Sequence, residues 1–140
     1  MAEPYPSTAR DLIIVAEDSP PNRKILGHLI EKMGFTVRSF ENGDLAWKAL
    51  NGECRNAVAI VSDIMMPCMD GIEFLRLVRE SQAFAELPFV LITAISENEY
   101  MEQATALNVN SYIQKPVTFQ RVSAKLQELF PNKTFPRLAG

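Results

Sequence analysis

The sequence predicts an α/β fold built on a five-stranded parallel sheet, and three observations carry that prediction. Short continuous apolar runs occupy residues 12–16, 57–61 and 88–92, as suits strands buried on both faces of a parallel sheet. Two more extended segments are half polar and read as sheet edges: residues 35–40, which include Thr36, Arg38 and Ser39, and residues 111–114. Segments with helical periodicity fill the intervals, and strands alternating with helices imply parallel pairing through right-handed crossovers.

The helices follow in order. The first spans residues 20–33, with Ser19 as N-cap and Pro20 and Pro21 where no amide donor is missed. Its apolar stripe is Ile25, Leu26, Leu29, Ile30 and Met33, and Gly34 ends it. The second carries Leu45, Ala46, Ala49 and Leu50, with Gly52 behind it. Asp70 is placed to cap the third, which buries Ile72, Leu75 and Val78. The fourth opens with Ser96 and Glu99 at capping-box spacing, and Asn108 suits the left-handed turn at its end. The fifth follows Thr118, with Phe119, Val122, Leu126 and Leu129 on one face.

Composition bounds the function. A chain of 140 residues, 47% hydrophobic and 22% charged, is sized for one domain with one core. We expect an extension over residues 1–10, the domain over 11–130, and a tail or linker over 131–140, where Pro131 and Pro136 fall. A net charge of −3 leaves no basic footprint, so direct nucleic-acid binding is not expected. No segment approaches the roughly 20 apolar residues of a membrane helix, and none reads as a signal peptide. Cys54 and Cys68 match no zinc or redox spacing and read as reduced thiols of a cytoplasmic protein.

In open α/β sheets the functional crevice lies beyond the carboxyl ends of the strands. Five polar residues fall at those ends: Glu17 and Asp18 after the first strand, Asp63 after the third, Thr93 after the fourth and Lys115 after the fifth. Convergent carboxylates repel by about 4 kcal/mol per pair at roughly 4 Å and an effective dielectric near 20. Such a site holds a proton or a cation, and hard oxygen ligands with open positions suit magnesium. An ammonium and a hydroxyl beside it meet the main needs of phosphoryl transfer, which are positioning and charge neutralisation.

The ordered set Glu17-Asp18, Asp63-Ile-Met-Met-Pro67-Cys-Met-Asp70-Gly71, Thr93-Ala94 and Lys115-Pro116 resembles the signature of response-regulator receiver domains of two-component systems, over about residues 11–130. The resemblance implies a flavodoxin-like doubly wound sheet of order 2-1-3-4-5. The edge strands of that order, the second and the fifth, are the two half-polar segments that composition already marks as edges. The resemblance also implies Asp63 as phosphoacceptor in a His-to-Asp phosphorelay, with Mg2+ held by Glu17, Asp18, Asp63 and the backbone carbonyl of Met65. Glu17 stands where many relatives carry Asp. Thr93 and Lys115 would contact the phosphoryl group, Lys115–Pro116 would be a cis peptide, and Thr93 with Tyr112 would form the switch. The implied partners are a histidine kinase or histidine phosphotransfer protein, and a downstream protein meeting the fourth helix, fifth strand and fifth helix. The chain would be a signalling domain that catalyses its own phosphorylation and slow dephosphorylation. Met65 and Ile95 occupy positions that tune that lifetime in the family; neither can orient a water, which implies a long-lived acyl phosphate.

Simpler readings stand beside these. Asp70 reads as a helix cap rather than a ligand, and Met65, Met66 and Met69 as loop packing, since thioethers suit soft metals. His28 lies in a helix with a full apolar stripe and reads as structural. A flavin or nucleotide site of the same fold would want a phosphate cradle after the first strand, where Ser19-Pro20-Pro21-Asn22 removes amide donors. A phosphohydrolase would want a second acid where Met65 stands. A degenerate receiver would lack one of the key residues, all of which are present. Stand-alone receiver and segment of a larger regulator both remain open.

Overall fold

The computed structural model describes residues 11–94 and 97–133. Residues 1–10, the tail from 134 onward, Ile95 and Ser96 lie outside the described residues, and with them the expectations placed there.

The strands are β1 (Leu12–Ala16), β2 (Thr36–Phe40), β3 (Ala59–Asp63), β4 (Phe89–Thr93) and β5 (Ser111–Gln114). They pair in parallel in the order β2-β1-β3-β4-β5, with the two half-polar strands at the edges. Between them run α1 (Pro20–Lys32), α2 (Gly43–Leu50), α3 (Gly71–Glu80), α4 (Tyr100–Ala106) and α5 (Phe119–Leu129). None of the described helices is long and apolar enough to cross a membrane.

Alternate residues of each strand point to opposite faces, and the two faces carry separate apolar clusters. Leu12, Ile14, Ile60, Phe89 and Leu91 pack with Leu50, Phe74, Leu75 and Ala104 of α2, α3 and α4. Ile13, Val15, Val61, Val90, Ile92 and Ile113 pack with Leu26, Ile30, Val122 and Leu126 of α1 and α5. Each fully buried Leu, Ile or Phe contributes on the order of 1.5–3 kcal/mol. Phe74 and Phe89 add an edge-on ring contact at 5.4 Å between centroids.

Local chemistry sets the helix ends. Asn42, Asp70 and Thr118 cap α2, α3 and α5 by accepting from the amides of Leu45, Glu73 and Arg121. Gly34 (φ 98°) and Asn108 (φ 59°) take the left-handed turns that follow α1 and α4. The Arg79 guanidinium at the end of α3 donates to the carbonyls of Leu87 (2.8 Å) and Asn108 (3.0 Å) and to Asn110 Oδ1 (2.8 Å). It thereby fastens α3 to the segments that enter β4 and β5.

Several expectations need correction. The third strand runs over 59–63 rather than 57–61, because main-chain pairing continues past the apolar run: Asp63 pairs with Ile92. The fourth likewise reaches Thr93. Ile25 and Leu45 are 52% and 40% exposed rather than buried. Leu26, Ile30 and Met33 face the sheet from α1 and its end, and a residue one step from such a stripe turns about 100° away from it. Ser19 makes no side-chain cap. The fourth helix begins at Tyr100, with Glu99 as an N-cap position that lacks a side-chain bond, while Ser96, the other half of the expected capping box, lies outside the described residues.

Candidate functional site

Glu17, Asp18, Asp63, Thr93 and Lys115 stand at the carboxyl edge of the sheet because each follows, or closes, a strand whose apolar residues are locked in the core. Asp63 is the last residue of β3 and is 3% exposed. Its Oδ1 accepts from the Ile64 amide at 2.8 Å, and its Oδ2 lies 3.2 Å from Lys115 Nζ. Gly71 brings the start of α3 against the same strand end. Its amide donates to Ile64 O at 2.7 Å, and a Cβ added there would stand 2.2 Å from Asp63 O.

Glu17 is as buried as Asp63. Its main chain continues the sheet edge, its amide donating to Phe40 O at 2.9 Å, and its Oε2 accepts from the Ser19 amide at 2.9 Å. Burial pushes the Glu17 carboxyl up to about 7, against the lowering effect of the Ser19 bond, and the neighbouring Asp63 carboxyl adds to the rise. Asp18 is exposed. Glu17, Asp18 and Asp63 each present a carboxylate oxygen within 4.8 Å of the others.

That arrangement is short of positive charge. Lys115 supplies one unit: burial works against its ammonium, but Asp63, Glu17 and Glu97 outweigh it and raise its pKa. Three clustered oxygen donors, one of them exposed and one held toward its protonated form, are a donor set that fits a hard divalent cation.

Thr93 closes β4 and is 6% exposed. The Lys115 amide donates to its carbonyl at 2.8 Å, which ties the threonine and the lysine across the β4–β5 edge. The Lys115–Pro116 peptide is cis. Leu91 pairs with Tyr112 and Thr93 with Gln114, so Thr93 and Tyr112 share one face of the sheet. Both line a groove of about 540 Å³ together with Met101 of α4 and Lys125 of α5. The Tyr112 hydroxyl lies 3.0 Å from Thr105 Oγ1, against α4.

Other expected residues fall elsewhere. Met65 is half exposed, while Met66 and Met69 pack on the core. His28 is exposed on α1, and both cysteines are free, Cys54 buried and Cys68 exposed. Three participants went unread in the sequence. Arg23 donates to Glu17 O at 2.8 Å, Ser62 Oγ donates to Asp63 O at 2.8 Å, and Glu97 accepts from the Ala94 amide at 2.8 Å. Only Glu97 left a signal, an acid a few residues after the end of the strand.

Comparison with known proteins agrees with this geometry. The family model described as "Response regulator receiver domain" matches residues 13–127. The chemotaxis protein CheY of Pseudomonas aeruginosa is 31% identical over 119 residues, covering 84% of this chain and 94% of that protein. CheY1 of Helicobacter pylori is 34% identical over 118 residues, covering 82% and 93%. Among solved structures, the receiver domain of the sensor histidine kinase PA1611 from P. aeruginosa superposes with a TM-score of 0.79 at 22% identity, covering 88% of this chain and 99% of that one. That structure is described as having a magnesium ion coordinated in the active site cleft. CheY4 of Vibrio cholerae superposes at 0.74 with 23% identity, over 86% and 98%. The fold, the carboxyl-edge cluster and these matches together place the chain in the response-regulator receiver family of two-component signalling.

Proposed function

We propose that the chain is a phosphoacceptor receiver in which Asp63 takes a phosphoryl group from a histidine kinase or histidine phosphotransfer protein. An Asp63 carboxylate oxygen attacks phosphorus, a P–O bond forms, and the P–N bond to the donor imidazole breaks, with the electron pair leaving on nitrogen. The Lys115 ammonium neutralises one phosphoryl oxygen, and the Thr93 hydroxyl donates to another. Glu17, Asp18, Asp63 and the Met65 carbonyl would hold Mg2+, which supplies charge neutralisation for the transferred group when bound. The observation that carries the reading is the Asp63 carboxylate. One oxygen is fixed by an amide and the other faces an ammonium, with two further carboxylates alongside.

Thr93 and Tyr112 would act as the switch. Thr93 moves toward the phosphoryl group, Tyr112 leaves Thr105 and turns inward, and the α4-β5-α5 surface changes for a downstream protein. Their shared sheet face supports this coupling. We also assign residues 11–130 as the receiver unit, flanked by the extension at 1–10 and the tail at 131–140, working in the cytoplasm. Turnover of its own acyl phosphate would be slow. Met65 offers no hydrogen-bonding group to an attacking water, and a Met65→Asn variant should lose the phosphoryl group faster.

The test is incubation with acetyl phosphate and Mg2+, read by intact mass. Wild type should gain one phosphoryl unit and Asp63→Ala none. An unmodified wild type, or equal modification of both, would refute the assignment.

A further inference from the structure

The Lys115 ammonium lies 3.2 Å from Asp63 Oδ2, yet its side chain is 35% exposed. A flexible four-carbon stem with that much solvent around it is not locked by packing. The placing of the ammonium therefore depends on the main chain that carries it.

That main chain is held at three points. The Lys115 amide donates to Thr93 O at 2.8 Å. Arg121 Nη1 donates to Gln114 O at 2.9 Å and to Pro116 O at 3.1 Å, the carbonyls on either side of residue 115. One guanidinium nitrogen, with its two N–H groups, thus brackets the lysine. Arg121 is itself anchored. Its amide donates to Thr118 Oγ1 at 3.2 Å in the first turn of α5, and its neighbour Val122 is buried against the sheet. Strand β5 ends at Gln114. Beyond it Lys115 keeps its bond to Thr93, and the guanidinium extends the hold to Pro116.

We propose that Arg121 is a positioning residue for phosphoryl transfer: by bracketing the main chain around Lys115, it keeps the ammonium in place against Asp63. The inference rests on the phosphoacceptor reading. An ammonium stabilises a transferring group most when it stands in position before the charge arrives. A misplacement of about 1 Å can cost up to about 10²-fold in rate. Arg121 could instead attract anionic donors by its charge alone, and that role makes a different prediction. Steering fades as salt screens it and acts on the encounter with the donor. A hydrogen-bonded bracket acts on the transfer step and persists in salt.

Two measurements on the full chain test this. The first follows phosphorylation by acetyl phosphate with Mg2+, read by intact mass over a range of donor concentrations. Arg121→Met keeps the apolar stem and removes the bracket. It should lower the rate at high donor concentration about tenfold, equally at low and high salt. An unchanged rate, or a loss confined to low salt or low donor concentration, would overturn the proposal. The second measures the coupling between Lys115 and Asp63 by urea denaturation of Lys115→Ala, Asp63→Asn and the double variant, with and without Arg121→Met. The coupling should shrink in the Arg121→Met background. A merely structural role lowers every stability alike and leaves the coupling unchanged, which would also overturn the proposal. Arg121 is exposed, so Arg121→Met should fold; circular dichroism checks this, and Arg121→Gln is the second variant. Wild type that stays unmodified would sink the phosphoacceptor reading and the rate claim, while the coupling still decides whether Arg121 positions Lys115. Wild type that is modified, with Arg121→Met equally fast, overturns this inference alone.

Discussion

Lys115 Nζ stands 3.2 Å from Asp63 Oδ2, although 52 positions separate the two residues in the chain. The contact joins the ends of β3 and β5, strands that do not pair with each other. It sets one ammonium against a cluster of carboxylates, and the predictions about charge start from it.

Removing that ammonium leaves a buried carboxylate uncompensated. Lys115→Ala should destabilise the fold by about 1–2 kcal/mol, less than a fully buried pair because the lysine side chain is about one-third exposed. Much of that loss should disappear in Lys115→Ala combined with Asp63→Asn. Chemical denaturation of the two single variants and the double variant measures the coupling, and strict additivity would show that the pair contributes nothing.

Magnesium should raise the melting temperature of wild type, since a ligand that binds only the folded state stabilises it. Asp63→Asn should weaken the effect. Identical melting curves with and without the ion would count against the acidic cluster as a cation site.

Glu17 makes stability depend on pH. Its folded pKa is about 7, against 4.5 for an ordinary glutamate. Between those values the folded chain keeps a proton that the unfolded chain has released, so stability falls as pH rises through the window, by at most about 1.4 kcal/mol per unit. Above about 7 the contribution levels off. Urea midpoints at several pH values, without divalent ions, should show a downward slope for wild type relative to Glu17→Gln. A flat or rising difference contradicts the assignment.

Cys68 sits at φ 68° in the exposed loop after β3. A left-handed residue with a Cβ costs about 1–2 kcal/mol, partly offset in a glycine variant by unfolded-state entropy. Cys68→Gly should gain about 0.5 kcal/mol, and Cys68→Val should lose stability. Thermal melts under reducing conditions decide it.

Gly71→Ala should be among the most damaging small substitutions. The added Cβ meets the Asp63 carbonyl at 2.2 Å and Ile64 Cα at 3.0 Å, both main-chain atoms that cannot rotate away. We expect a loss of about 3 kcal/mol or more. Phosphorylation by acetyl phosphate should fall as well, because α3 can be relieved only by moving the end of β3. A variant as stable and as reactive as wild type would contradict this.

Residue pattern alone marked β1 and β5 at their observed bounds, located the other three strands to within two residues, named Asp70 as a cap and began the fifth helix after Thr118. Those features are local. A strand buried on both faces must be continuously apolar, and a cap acts within three residues of itself. The same reasoning foresaw the carboxylates, the threonine and the lysine as strand-end residues, because polar groups stand out where an apolar run stops. Pattern could not say that Ile25 and Leu45 would face outward, since an apolar helical stripe does not reveal where its buried arc ends. It expected Glu99 to take part in a capping box, but Glu99 makes no side-chain cap at the start of α4. It also missed Arg23 and Ser62, whose roles depend on carbonyls that only the folded chain presents. Which polar residues gather at the carboxyl edge of the sheet was therefore written in the order of the chain. How their charges balance was decided by the crossovers, which alone set the distances between side chains on different strands.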